Sequence, residues 1–114
     1  KIDQQIMFAE KSWGSFRVLD VEDASMTIKI TLTPGHGMNY HSHENRDEVW
    51  TVISGTGHAI LDGVRRDVKA GDILTMPAGC RHTVFADSEL KIIEVQLGPA
   101  ISVEDKQKYP LPQA

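Results

Sequence analysis

The spacing of turn signals constrains this chain more than any other feature. Trp13-Gly14, Pro34-Gly35, Gly55-Thr56-Gly57, Asp62-Gly63, Ala70-Gly71-Asp72, Pro77-Ala78-Gly79 and Gly98-Pro99 divide it into short runs rich in Val, Ile, Thr and Leu. Turns at such intervals around β-branched runs predict an all-β sandwich or barrel. From Met26 to Thr33 the even positions are apolar and the odd ones polar, the period of a half-buried strand. Further strands are expected over Glu48 to Ile53, Ile73 to Met76 and Leu90 to Leu97. His58 to Arg66 reads as a hairpin turning at Asp62-Gly63. In the tail, Ser102 is expected to cap a helical turn reaching Lys106.

At 114 residues the chain has the size of one domain, since two separate cores would each be too small. The expected division is an N-terminal strand region 1–25, a barrel core of about 26–98 and a tail 99–114. The net charge of −4 and the lack of a Lys/Arg block argue against nucleic acid as a partner. Cys80 is the only cysteine, so no intrachain disulfide can form. No apolar run reaches the roughly 20 residues that span a bilayer, so no membrane partner is expected. Lys1 to Gln5 show no signal-peptide segment, and the expected location is cytoplasmic.

The chemistry lies mid-chain. Gly35 is followed after five residues by His41-Ser42-His43, then after four by Glu48, then after six by Gly55. Gly71 is followed after five residues by Pro77-Ala78-Gly79, then after two by His82. On an extended segment His41 and His43 project from one face and can converge on one ion. Glu48 opens the next apolar run, and His82 arrives from a distant strand after a Pro/Gly turn. Taken singly, each is an ordinary surface or capping residue. Together they make three imidazoles and one carboxylate, a set suited to one divalent transition metal such as Zn, Mn, Fe, Co, Ni or Cu rather than Ca or Mg.

These positions resemble the two motifs of the cupin superfamily. Gly35, His41, His43, Glu48 and Gly55 match the first; Gly71, Pro77, Gly79 and His82 match the second, with Ala86 where its final Asn would stand. The resemblance implies a jelly-roll β-barrel (a double-stranded β-helix) binding metal through His41, His43, Glu48 and His82. Trp13-Gly14-Ser15-Phe16, Ile30 to Gly35, Arg46 to Trp50, Val52 to Thr56 and Ile93 to Gln96 are similar to the cupin domain of type II mannose-6-phosphate isomerases. Those enzymes usually carry His where Val49 stands and Gln where His41 stands. The likeness implies an isomerase-like cupin whose small-molecule substrate is a sugar or sugar phosphate.

An aldose–ketose isomerase needs a Lewis acid, a base and a phosphate anchor. For the base the candidate is Glu94. If Ile92 faces the cavity, so do Glu94 and Gln96; if Ile93, Val95 and Leu97 face inward, Glu94 is exposed. Arg46 beside the site, or Lys29 on the polar face of its strand, is the candidate anchor. Trp50 shares a face with Glu48 and is expected, with Gln96, to line the substrate pocket. Trp13 is expected to plug the barrel, Met38 and Met76 to fill space, and Asn39 and Tyr40 to lie in a loop. His36, His58 and Cys80 lack partners in register and are not expected to ligate. Two other functions fit the same residues: a metal-dependent dioxygenase and a non-catalytic sugar-binding module. The segment Ile6-Met7-Phe8 is a candidate to cross onto a partner in a homodimer.

Overall fold

The computed structural model describes residues 7–102 and 104–112. Among them are eleven strands and no helix, hence no helix long and apolar enough to cross a membrane. The strands are β1 (Phe8–Lys11), β2 (Gly14–Val21), β3 (Ser25–Leu32), β4 (Tyr40–Ser42), β5 (Asp47–Ser54), β6 (Thr56–Leu61), β7 (Val64–Lys69), β8 (Ile73–Met76), β9 (His82–Ala86), β10 (Leu90–Leu97) and β11 (Gln107–Tyr109). They form a six-stranded sheet, β1-β2-β3-β10-β5-β8, facing a five-stranded sheet, β11-β4-β9-β6-β7. Every pairing is antiparallel, as the jelly-roll expectation requires.

The period-two pattern of β3 does what it predicts: Ile28, Ile30 and Leu32 are buried, while Lys29 lies on the outer face. Inside the six-stranded sheet, cross-strand rows carry the chemistry from apolar to polar. Ile30, Ile92 and Val52 oppose one another in one row, and all are essentially buried. The next row is Ile28, Glu94, Trp50 and Leu74, and the one beyond it Met26, Gln96, Glu48 and Met76. The far sheet meets the apolar rows with Ala59, Val68, Val84 and Ala86. Each fully buried aliphatic side chain there contributes about 2 kcal/mol. One end of the barrel is thus a packed core, and the other is lined with buried polar groups.

Tight links hold this register. β5 passes to β6 through Gly55 alone, at φ +90°, and a Cβ there would strike the Glu89 carbonyl. Asp62 and Gly63, both at positive φ, close the β6–β7 hairpin expected from the sequence.

Two expectations change. Tyr40 is no loop residue: it lies in β4, is buried, and its hydroxyl accepts the Gly63 N–H at 3.0 Å. Ser102 caps the tail as expected, its Oγ accepting the Glu104 N–H at 3.1 Å, but no helix forms there among the described residues, which leave out Val103. Beyond that turn the tail adds β11, which pairs with β4. At the other terminus β1 pairs with β2 of its own chain, and Ile6 lies outside the described residues.

Candidate metal centre

His41, His43 and His82 converge in the polar end of the barrel. One ligand nitrogen from each lies within 4.8 Å of the others, and all three side chains are buried. Register explains the meeting. His41 of β4 stands directly opposite His82 of β9, so both imidazoles leave the sheet on one face, with ring centroids 4.4 Å apart. His43 follows two residues after His41, and its ring centroid is 4.8 Å from that of His41.

The backbone sets the tautomer of each ring. The Nδ1 atoms of His41, His43 and His82 lie 2.6, 2.7 and 2.9 Å from the carbonyl oxygens of Asn39, Asp105 and Cys80. A carbonyl only accepts, so each Nδ1 carries the hydrogen and each Nε2 presents a lone pair to the centre. Outer partners of this kind orient metal-binding histidines. His82 Nε2 is buried with no hydrogen-bond partner. A buried acceptor without a partner costs free energy unless something external satisfies it. Burial first, then the nearby His82, lowers the His41 pKa to about 3; burial also lowers that of His43, which favours the neutral form of these two rings that a ligand needs. The three histidines therefore could hold a metal ion.

Glu48 closes the fourth side. Its carboxylate oxygens lie 3.2 Å from His43 Nε2 and 3.4 Å from His82 Nε2. Arg46 Nε donates to one oxygen at 2.8 Å, and Trp50 Nε1 to the other at 3.1 Å. Burial pushes this carboxyl up, but the Arg46 guanidinium against it holds Glu48 well below the usual carboxylate range. Arg46 is spent on the site itself: it also reaches His43 Nε2 at 3.1 Å and the Ser102 carbonyl at 3.3 Å.

Glu94 faces inward. Of the two faces open to β10, the one holding Ile92, Glu94 and Gln96 is buried, while Ile93 and Val95 are half-buried outside and Leu97 is exposed. β10 is an interior strand whose rows are fixed by β3 and β5, so apolar count does not choose its inner face. Gln96 Nε2 donates to Glu94 Oε2 at 2.6 Å. Burial, and then the charge of Glu48, raise the Glu94 pKa well above its ordinary value. The two neighbouring carboxyls of the cavity are thus shifted in opposite directions.

These groups line a cavity of about 600 Å³ with Trp13, Trp50, Met38 and Asn39. Trp13 packs against the core from the cavity wall, and Met76 is buried in the core. His36 is exposed and His58 stacks on Phe85 at 5.0 Å, so neither joins the cluster. Burial, followed by Asp62, pushes the Cys80 thiol up to about 11, and Cys80 is not among the grouped ligands. Sequence reasoning missed Asp105, which holds His43, and the cavity lysines Lys11, Lys106 and Lys108.

Comparison with known proteins gives the same family as the motifs. A family description for the cupin domain matches residues 28–96. The alginate biosynthesis protein AlgA of Pseudomonas putida is 27% identical over 101 residues, covering 87% of this chain and 21% of that protein. A mannose-1-phosphate guanylyltransferase of Klebsiella pneumoniae is 24% identical over 97 residues, covering 83% and 21%. The chain thus spans about a fifth of the length of these relatives. Among solved structures, a single-residue variant of Streptomyces PAC13 with uridine superposes with a TM-score of 0.76 at 19% identity, covering 93% of this chain and 86% of that one.

Proposed function

This chain belongs to the cupin family, and from that premise we propose that it binds one divalent transition metal through His41, His43, His82 and Glu48 and acts as an isomerase on a sugar or sugar phosphate. The observation carrying the metal assignment is the buried, partnerless Nε2 of His82, in a cluster where one ligand nitrogen from each of His41, His43 and His82 lies within 4.8 Å of the others. A bound cation would polarise the substrate carbonyl as a Lewis acid. Glu94 gives and takes the proton: a carboxyl whose burial raises its pKa is a stronger base than an ordinary one once ionised and readily returns what it accepts. Gln96 orients Glu94 through its amide, and Arg46 with Trp50 keeps Glu48 ionised and in place. Trp13 and Trp50 supply apolar walls that exclude water and suit a sugar ring. The likeness to AlgA and to the guanylyltransferase supports the carbohydrate side of this reading.

The test begins with elemental analysis of freshly purified protein. Near-stoichiometric metal is expected in the wild type and none in the variant combining His41→Ala with His82→Ala, whose β-sheet circular dichroism should persist. Full metal in that variant would sink the assignment. Protein loaded with zinc, manganese or cobalt should then interconvert mannose 6-phosphate and its ketose. Iron or copper with oxygen uptake would favour a dioxygenase instead, and tight metal with no turnover a binding module.

A further inference from the structure

Three cations at the cavity have no part in the chemistry above. Lys11, Lys106 and Lys108 line the same cavity as His41 and His43 but come from opposite ends of the chain. Register accounts for Lys108. It stands opposite His41, which stands opposite His82, so Lys108, His41 and His82 form one row across β11, β4 and β9. Directly opposed residues share a face, so Lys108 leaves β11 on the histidine side. Lys106, two residues earlier, joins it along the cavity wall. Lys11 ends β1, and its Nζ lies 5.9 Å from the Phe16 ring, itself a lining residue.

All three lysines are exposed, so their ammonium groups stand at the opening rather than in the floor. Among the described residues none is within ion-pair distance of a carboxylate. Partial burial, then Lys108, Lys11 and Arg46, hold the Lys106 ammonium below the ordinary lysine range, so these cations sense one another. In a chain of net charge −4, such a gathering runs against the overall composition. Like charges around one cleft are unfavourable until an anion enters, and they draw anions in by focusing the field. The other candidate anchors are placed elsewhere: Lys29 is on the outer face of β3, and Arg46 is bound to Glu48.

We propose that Lys11, Lys106 and Lys108 form an anion clamp at the cavity mouth, selecting small substrates that carry a phosphate or carboxylate and holding that group while the opposite end reaches the histidines and Glu94. Lysine binds phosphate as a mobile point charge, which suits an exposed rim. A cavity of about 600 Å³ has room for one such molecule. The proposal rests on the reading of this cavity as the substrate site.

The experiment is calorimetric titration of the metal-loaded protein with mannose, mannose 6-phosphate and mannuronate, in low and high salt. The wild type should bind an anionic ligand about tenfold more tightly than mannose, with the advantage shrinking in high salt. The variant combining Lys106→Ala with Lys108→Ala should lose most of that advantage at unchanged metal content, and the double arginine variant should keep it. The tighter of the two anions distinguishes phosphate from carboxylate. Equal affinity for all three ligands, or undiminished preference in the alanine variant, would overturn the clamp. If no sugar binds, the carbohydrate proposal fails by itself, and the clamp is judged by inorganic phosphate alone. Amide shifts at Lys11, Lys106 and Lys108 on titration with phosphate, lost in the alanine variant, would uphold it; their absence would overturn it.

Discussion

At Glu48 two donors meet a carboxylate that the apolar interior would otherwise expel. Arg46 is 10% exposed and Glu48 2%, so this ion pair is largely shielded from water. Removing one partner of a buried pair leaves an uncompensated charge. Arg46→Met should therefore destabilise the metal-free protein by about 3 kcal/mol in urea unfolding. Added zinc should recover part of that loss, because a cation at the centre supplies the missing charge. A loss under about 0.5 kcal/mol, the range of surface substitutions, would show that the pair matters little. The three histidines that meet in the barrel were legible in the sequence because their spacing relative to glycines and prolines is rigid. The roles of Arg46 and Glu94 were not. Each depends on what lies across the sheet: Glu48 beside one, and Trp50 and Ile28 opposite the other.

Among the elements, the turns and the tail carry separate weights. Gly55 and Gly63 both sit at positive φ, but only at Gly55 would a Cβ meet backbone; around Gly63 there is open space. Gly63→Ala should cost about 1 kcal/mol from the left-handed conformation alone. Gly55→Ala should cost clearly more, and equal melting shifts for the two would contradict this difference in packing. The tail is tied to the site by Asp105, whose carboxylate accepts the Glu44 and Asn45 N–H groups at 2.9 and 2.7 Å. Its modest burial works against the charged form, yet those bonds win and hold its pKa below the ordinary 3.8. A carboxyl depressed on folding stabilises the folded state above its unfolded pKa. That contribution should be present at neutral pH and fade below about 3.8, as pH falls through the folded value. Asp105→Ala should accordingly raise hydrogen exchange at Glu44 and Asn45 at pH 7, while the wild type shows the same loosening only in acid. Strands with clean alternation, such as β3, were readable from sequence. Three-residue β4 and β11 were not, because so short a run has too few positions to show a period.

Over the whole molecule the barrel leaves an edge. β1 is the outermost strand of its sheet, and Met7 and Phe8 are 48% and 45% exposed beside it. An unpaired apolar edge is a natural seam between copies, and a homodimer through β1 is the expected assembly. Light scattering should give about twice the chain mass of 12.7 kDa, and Phe8→Lys should shift it toward the monomer. A monomer at high micromolar concentration would refute this. The family, the all-β architecture and the three histidines of the candidate centre are properties of the chain read in order, since turn chemistry and motif spacing are local and glycine, proline and histidine announce themselves. Which face of β10 turns inward, which arginine is consumed by the site, and which lysines ring its mouth were settled only by folding. Those outcomes depend on cross-strand register between segments as distant as Lys11, His41 and Lys108, and register is fixed by the sum of contacts across the barrel rather than by any one stretch of it.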